Sequence, residues 1–266
     1  MHDTKIAIKN GLTSNELKDF LDEKYDLFNR ASFIESDPIQ IPHQFSLVED
    51  IEIAAFLTST IAWGNRKSII SNANRMMELL GRSPHDFIMN AKPAHFLAIN
   101  NFVHRTFNSS DVQFFLFSLR NIYRKYLGLK SVFLENYSKT LSLRESLIHF
   151  RSVFLETEHL PRVEKHIADV ISHSAAKRLN LFLMWMVRND YRGVHFGLWK
   201  EISPAHLFMP LDVHSGNISR KLGLLLRKQN DWKAVEELTA NLRKFDAYDP
   251  VKYDFALFGL GVFEHF

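Results

Sequence analysis

The 266-residue chain contains no cysteine. This absence excludes disulfide bonds, thiolate nucleophiles, cysteine-held iron–sulfur clusters and zinc fingers. Glycine and proline are sparse, at 10 and 8 residues, and they fall mainly at the ends of helical segments. No apolar run reaches the ~20 residues that a membrane-spanning helix needs. The first residues, MHDTKIAIKNG, lack the basic start and apolar core of a signal peptide. We therefore expect a cytoplasmic protein with no membrane partner.

Charge is unevenly distributed along the chain, although the formal net charge is only +3. Residues 1–50 contain 5 Lys and Arg against 10 Asp and Glu, whereas residues 171–228 contain 9 against 3. A positively charged segment of this kind attracts polyanions such as nucleic acid. The same pattern also arises on the solvated faces of ordinary helices, and charge alone favours that interpretation.

Hydrophobic residues recur with helical spacing along almost the whole chain, and no convincing alternating strand pattern is present. In TSNELKDFLDEKYDLFNR, Ser14 provides a cap signal, and Leu17, Phe20, Leu21 and Phe28 share one face. The segment ESDPIQIPHQ has two prolines and predicts an extended connector. The 46% hydrophobic content is sufficient for a packed core. These patterns predict an all-α protein of roughly ten or more helices.

One carboxylate, Asp212, lies between apolar residues in MPLDVHSGNISRKLGL and is followed by His214, Arg220 and Lys221. The proline two residues earlier favours a turn, so Asp212 is a natural N-cap for a helix that begins near Val213. Capping alone explains an aspartate at this position. It does not explain the positive charge around it, and Asp212 is therefore also the best candidate for an active-site carboxylate.

Two further polar stretches contain candidate phosphate or base contacts. In AWGNRK, Asn65 and Arg66 open a helix after a glycine, where free N–H groups can receive an anion. In FVHRTFNSSD, His104 and Arg105 precede a capped helix among aromatic residues. Each stretch also has a purely structural interpretation, as a tight inter-helix turn or as a loop histidine beside a solvated arginine.

Thirteen histidines raise the alternative of a helical metal-dependent phosphohydrolase, in which His85 and Asp86 would form a His-Asp pair. Such a site requires further His and Asp residues on facing helices, and no spacing singles them out. The HExxH zinc motif, Gly-rich phosphate loops and the GxSxG nucleophile elbow are absent from the sequence. We therefore expect neither a bound metal nor a cofactor.

The run PLDVHSGNISRKLGLL resembles the segment of the helix-hairpin-helix DNA glycosylase superfamily that carries its catalytic aspartate. That segment has the approximate pattern P-x-D-T-H, then a helix with a basic residue, then L-G-L. Asp212, His214 and Arg220 match it, and Val213 replaces the usual threonine. The segments VEELTANLRKF and YDFALFGLG resemble the two helices that follow. Upstream, IEIAAFLTSTIAWGNRKSIISNANRMMELL resembles the early helix pair of the superfamily.

More closely, the chain is similar to a bacterial family of conserved hypothetical proteins, through AWGNRK, FVHRTFN, KRLNLFLMWMVR, PLDVHSGNISRKLGL and DPVKYDFALFGLG. The resemblance to the superfamily implies a two-lobed helical fold. One lobe would be the contiguous residues 46–175, and the other would combine residues 1–45 with 176–266. A cleft in which Lys177 and Asp212 face each other would lie between them.

The resemblance also implies roles for particular residues. Superfamily members carry a glycine-containing hairpin just before the buried helix, and here Ser174 and Ala176 stand in HSAAKR where glycines are expected. Lys177 falls where bifunctional glycosylases carry a Schiff-base lysine, and Arg178 follows it. Asp212 would stabilise the positive charge that develops on the sugar as the base departs.

The function that the resemblance implies is a DNA-base N-glycosylase-like repair activity of a monomer on double-stranded DNA, damaged or intact. Its catalytic residues would be Asp212 and Lys177. Basic and polar side chains would contact the nucleic acid: Arg178, Arg220, Lys221, His214, Asn65, Arg66, His104 and Arg105. The missing hairpin glycines favour a second hypothesis, a non-catalytic nucleic-acid-binding protein on the same fold. The helical metal hydrolase is the third.

Overall fold

The computed structural model describes residues 13–264 and residue 266, and it confirms that the chain is all-α in character. The α-helices are, in chain order, α1 Ser14–Phe28, α2 Ser32–Ser36, α3 Val48–Thr60, α4 Arg66–Leu79, α5 Pro84–Asn90, α6 Pro93–Leu97, α7 Ser109–Lys125, α8 Leu129–Thr140, α9 Leu143–Phe154, α10 Lys177–Val187, α11 Val213–Lys221, α12 Trp232–Arg243 and α13 Asp254–Val262. Short 3-10 helices lie at Pro38–Gln40, Pro42–Gln44, Pro161–His166, Pro204–His206 and Pro250–Tyr253. None of the helices in the described residues has the length and apolar content to cross a membrane.

The first helix is capped by Thr13 and not, as predicted, by Ser14, which is its first residue. The Thr13 backbone N–H donates to Glu16 Oε2 at 2.7 Å, and the Glu16 N–H donates to Thr13 Oγ1 at 3.3 Å. Both Thr13 and Ser14 are competent caps. The reciprocal capping box requires a glutamate three residues after the cap, and only Thr13 has one at that spacing.

The extended connector predicted for ESDPIQIPHQ is wrong, because two 3-10 helices begin at its prolines, Pro38 and Pro42. The fixed φ of proline suits the first position of a helix, where its missing N–H is not needed. The Asp37 carboxylate caps the first of these helices by accepting a hydrogen bond from the Ile39 N–H at 3.0 Å. That helix packs against α4, which brings Asp37 toward the start of α4.

A small antiparallel hairpin joins strand β1, Val103–His104, to strand β2, Phe107–Asn108. The sequence did not indicate it, since two-residue strands are too short to show an alternating pattern. Arg105, in the turn, adopts a left-handed φ of 56°. The hairpin therefore fixes His104 and Arg105 against α4 and the turn before it.

Helix α13 packs against both α1 and α11, and Gly259 accounts for its close approach to α1. A Cβ atom added to Gly259 would lie 2.1 Å from Cδ2 of Phe28, so a side chain there would collide with α1. A Cβ on Gly261 would lie 3.4 Å from Cγ1 of Ile218, close to ordinary contact with α11. The glycine at 259 is therefore a packing requirement, whereas the one at 261 is not.

Helix α10 packs against α3, whose residues from Ile51 to Thr60 are buried. One hydrophobic cluster includes residues from both of the predicted lobes. The division of the chain at residues 45/46 and 175/176 stays a prediction. The contact between α3 and α10 places Ala62, just past α3, against Lys177 at the start of α10.

Candidate functional site

Asp212 is the N-cap of α11, which confirms the cap predicted from the sequence. Its Oδ1 accepts hydrogen bonds from the Ser215 backbone N–H at 3.0 Å and from the Ser215 hydroxyl at 3.2 Å. The Asp212 N–H in turn donates to that hydroxyl oxygen at 3.0 Å. Capping thus uses one carboxylate oxygen, and Oδ2 is left for another partner.

That partner is the side chain of Lys177. Its Nζ lies 3.7 Å from Asp212 Oδ2 and donates a hydrogen bond to the carbonyl oxygen of Ala62 at 3.0 Å. The Lys177 and Asp212 side chains keep 28% and 31% of their surface exposed, so a ligand can reach both. The two residues chosen from the sequence as catalytic therefore lie side by side.

A cavity of about 710 Å³ opens beside this pair. Its volume lies within the range of small-molecule binding sites. Aromatic and aliphatic side chains form most of its walls: Phe33, Trp63, Ile69, Leu181, Met184, Trp185, Phe255, Phe258 and Val262. Charged and polar side chains complete the lining: Asp37, Asn65, Arg66, Lys177, His195, Asp212, His214, Ser215 and Asp254. The most exposed lining residues mark the opening: Gly64, Asn65, Val213 and His214.

The turn in AWGNRK forms one edge of this cavity. Asn65 caps α4 through its side-chain oxygen, and the Arg66 guanidinium lies over the Phe258 ring, 4.5 Å from the ring centre. Gly64 has a φ of 98°, and a Cβ there would lie 2.6 Å from Nη1 of the exposed Arg105. Three of the predicted residues, Asn65, Arg66 and Arg105, are thus brought to this edge.

His104 and Arg178, two other predicted nucleic-acid contacts, hold Trp63 in place and do not line the cavity. The buried His104 ring has Nε2 3.2 Å from the Trp63 carbonyl oxygen. The Arg178 guanidinium lies 4.8 Å from the centre of the Trp63 ring and donates to the Thr60 carbonyl at 2.7 Å. Burial lowers the pKa of Arg178 to about 10 and also lowers the pKa of His104. Both side chains therefore fix the position of Trp63 in the cavity wall and do not themselves reach the cavity.

Arg220 reaches Asp212 indirectly, through a residue that sequence reasoning missed. Its Nη2 donates to Asn230 Oδ1 at 2.5 Å, and Asn230 Nδ2 donates to the backbone carbonyl of Asp212 at 3.0 Å. His214 is exposed at the opening of the cavity. Lys221, at the end of α11, donates to a backbone carbonyl near the end of the chain at 3.0 Å. Arg220 thus positions the cap, while His214 faces solvent.

Two carboxylates in the cavity were also missed by sequence reasoning. Asp254 begins α13, and Asp37 caps the 3-10 helix before α3. Burial and the negative charges of Asp212 and Asp37 raise the pKa of Asp254 to about 7, against the opposing charges of Lys177 and Arg188. Burial also raises the pKa of Asp37. An aspartate near a proline-started turn is common at helix ends, so no local pattern distinguished either residue.

No three His, Asp or Glu side chains in residues 13–264 are arranged to hold a metal ion. The His-Asp pair of the phosphohydrolase hypothesis lies in α5, outside the cavity. The His85 backbone N–H donates to Asp50 Oδ1 at 2.8 Å, and Asp86 accepts a hydrogen bond from Asn90 at 2.8 Å. Both members of the pair thus take part in local helix contacts.

No curated protein and no solved structure matches this chain. The similarity to helix-hairpin-helix glycosylases consequently stays a prediction from the motifs. A family model does match, over residues 37–263, and this range includes every residue of the cavity lining except Phe33. Because that range covers most of the sequence, the chain belongs to the family described as "Protein of unknown function (DUF2400)".

Proposed function

We propose that the protein is a DNA-base N-glycosylase-like enzyme on a fold of the helix-hairpin-helix glycosylase type. The observation that carries the proposal is the Lys177–Asp212 pair, 3.7 Å apart, beside a cavity with aromatic walls. An enzyme that acts on a base in duplex DNA has to extrude the nucleotide and receive the base between aromatic or apolar side chains. Trp63 and Phe258, which are only partly buried, offer such surfaces.

The turn that leads into α10 supports the proposed fold type. His173 and Ala176 have positive φ values of 65° and 48°, a conformation that residues other than glycine rarely adopt. The resemblance expects a glycine at 176, so the backbone keeps a glycine-like conformation without the glycine. No side chain in the described residues caps α10, which leaves its first N–H groups available to a DNA phosphate.

The chemistry follows from the orientation of Asp212. Cleavage of an N-glycosidic bond leaves positive charge on the sugar, as in glycoside hydrolysis. The Ser215 hydrogen bonds to Oδ1 fix the Asp212 carboxylate, and Oδ2 is presented together with Lys177 Nζ. A fixed negative charge near C1′ stabilises the transition state without reorganisation. Water then adds to C1′ and gives up a proton to solvent, or Lys177 Nζ gives up a proton to solvent, adds to C1′ and forms a Schiff base when the sugar ring opens.

The remaining predicted residues divide into two groups in this proposal. Residues at or beside the opening would contact DNA: Asn65, Arg66, Arg105, His214 and Lys221. His104 and Arg178 would position Trp63. Arg220 would position Asp212 through its hydrogen bond to Asn230. Neutralisation of phosphates by basic residues makes DNA binding strongly dependent on salt.

The first experiment measures binding of a fluorescent DNA duplex over a range of salt concentrations, and then excision from duplexes that each carry one damaged base. We expect binding that weakens with salt and excision of at least one base. Salt-dependent binding without excision by the wild type would favour the non-catalytic nucleic-acid-binding protein. Absence of binding would reject both functions.

The second experiment compares Asp212→Asn with Asp231→Asn. Asp231 is also an N-cap, with Oδ1 accepting a hydrogen bond from the Ala234 N–H at 3.1 Å, but it does not line the cavity. Asparagine caps helices as well as aspartate, so both variants should fold. We expect Asp212→Asn to lose about 10²–10³-fold in excision rate and Asp231→Asn to retain the wild-type rate. Equal rates for all three proteins would show that Asp212 is not catalytic.

A further inference from the structure

The carboxyl group of Asp254 has no part in the mechanism above. It lines the same cavity as Asp212, from the first residue of α13. Burial and neighbouring charges set its pKa, and within the described residues no hydrogen bond contributes. The side chain is only partly exposed, so that its carboxyl group is partly removed from water, and carboxyl groups with perturbed pKa values concentrate at functional sites. Asp254 is therefore available to a ligand in the cavity.

Titratable and charged groups face Asp254 from the elements around it. They are Asp212 and His214 on α11, Lys177 on α10, Arg66 on α4, Asp37 on the 3-10 helix, and Arg188 and His195 after α10. Burial and the charge of Arg188 hold the pKa of His195 well below its usual value, so its ring is neutral near pH 7. Burial raises the pKa of Asp254 to about 7, so at neutral pH its carboxyl group is protonated in a substantial fraction of molecules.

Resting on the proposed function, we propose that Asp254 is the general acid of the reaction, whose carboxyl O–H protonates a ring nitrogen of the departing base. Most glycoside hydrolases use two carboxyl groups with different tasks, one to give a proton to the leaving group and one to act on the sugar. Asp254 and Asp212 are placed for these tasks because both line the cavity that would hold the base. Asp212 lies beside Lys177 on α11, Asp254 lies on α13, and both side chains are only partly exposed.

The proton and electron balance of the step is simple. The C1′–N bond breaks and its electron pair moves onto the base, while the Asp254 proton goes to a ring nitrogen. The base leaves as a neutral molecule, and the sugar carries the positive charge that Asp212 stabilises. Water adds to C1′, and the proton that it loses returns to the Asp254 carboxylate.

This role defines a class of substrate. Adenine, guanine, cytosine and their neutral derivatives carry a ring nitrogen with an unshared electron pair, and protonation there makes them better leaving groups. A purine that alkylation has already made cationic needs no acid. Uracil and thymine leave as anions whose charge rests on carbonyl oxygens. The proposed substrates are therefore neutral, amino-bearing bases with a basic ring nitrogen.

The test compares two duplexes, one with the neutral amino-bearing base that the wild type excises fastest and one with N7-methylguanine. We expect the excision rate of Asp254→Asn to fall about 10²–10⁴-fold on the neutral base and far less on the cationic one. The excision rate of Asp212→Asn should fall on both duplexes, and that of Asp231→Asn on neither.

The pH profile gives a second test. The wild-type excision rate on the neutral base should fall about tenfold per pH unit above pH 7, whereas the Asp254→Asn rate should be flat there.

Several results would overturn this inference. Equal losses of Asp254→Asn on the two duplexes, no loss on either, or wild-type excision restricted to uracil or N7-methylguanine would each do so while leaving the glycosylase function in place. A wild type that excises no base at all would overturn the proposed function itself, and this inference with it. Thermal melting of Asp254→Asn distinguishes a lost acid from a lost fold.

Discussion

Glu52 and Asp254 both carry carboxyl groups whose pKa is raised by burial, and they differ in what surrounds them. Glu52, in α3, accepts hydrogen bonds from the Trp199 indole N–H at 2.7 Å and from the Tyr123 hydroxyl at 3.0 Å. Asp254 has no hydrogen-bond partner among the described residues, and it faces a cavity.

The difference separates a structural acid from a candidate functional one. A buried carboxyl group whose hydrogen bonds are complete fixes the packing of the side chains that donate to it. A carboxyl group without partners retains a desolvation cost, which a ligand with the right donors or acceptors can remove. A raised pKa therefore accompanies a structural role at Glu52 and a candidate functional role at Asp254, and the presence or absence of hydrogen-bond partners distinguishes the two.

The largest expected effect is on Glu52. Glu52→Leu leaves the buried donors of Trp199 and Tyr123 without an acceptor, and each unsatisfied group costs about 1–3 kcal/mol. We expect the free energy of unfolding to fall by about 4 kcal/mol in urea denaturation. Glu52→Gln keeps an acceptor and should lose only about 1 kcal/mol. A leucine variant as stable as the glutamine variant would contradict the structural role of Glu52.

Substitution of Asp254 should increase the free energy of unfolding, whereas substitution of Glu52 should decrease it. Its pKa is about 7 in the folded protein against an ordinary 3.8, so the folded state binds the extra proton between these values. The contribution of this proton to the free energy of unfolding is therefore fully present below about pH 4 and is lost as the pH rises to about 7. Asp254→Asn removes this loss, and we expect a gain of about 2–3 kcal/mol at pH 8 that vanishes near pH 4. Melting temperatures across that range measure it, and a variant that is less stable at pH 8 would contradict the unpartnered acid.

The contrast also shows which parts of the site could be predicted from sequence. Lys177 and Asp212 each lie within a run that resembles a known motif, so their pairing could be expected. Asp37 and Asp254 could not be found, because only the packing of a 3-10 helix and of α13 around the cavity brings them together. His104 was predicted to contact nucleic acid, because the sequence of a histidine–arginine pair does not show that the histidine is buried. The all-α class could be predicted because it depends on spacing alone.

Helix α13, which begins at Asp254, has one glycine against the core and one on the cavity side, and alanine substitutions at both compare these two surroundings. Gly259→Ala places a methyl group 2.1 Å from the Phe28 ring, where α1 would have to move. We expect a loss of about 1–3 kcal/mol in the free energy of unfolding. Gly261→Ala, on the cavity side, meets its nearest atom at 3.4 Å and should change stability by less than about 1 kcal/mol. Similar losses for the two variants would show that the core and cavity faces of α13 are equally tight.

The smallest effects are charge couplings inside the cavity, and they have opposite signs. The charge of Asp212 raises the pKa of Asp254, and the charge of Lys177 lowers it. Asp212→Asn should therefore move the Asp254 titration to lower pH, and Lys177→Met should move it to higher pH. Carbon-13 NMR of the Asp254 carboxyl group measures both shifts, with Asp231→Asn as a control that leaves it unchanged. The two substitutions remove charges of opposite sign from residues that contact each other. Shifts of the same sign would therefore mean that Asp212 and Lys177 do not both face Asp254 across the cavity.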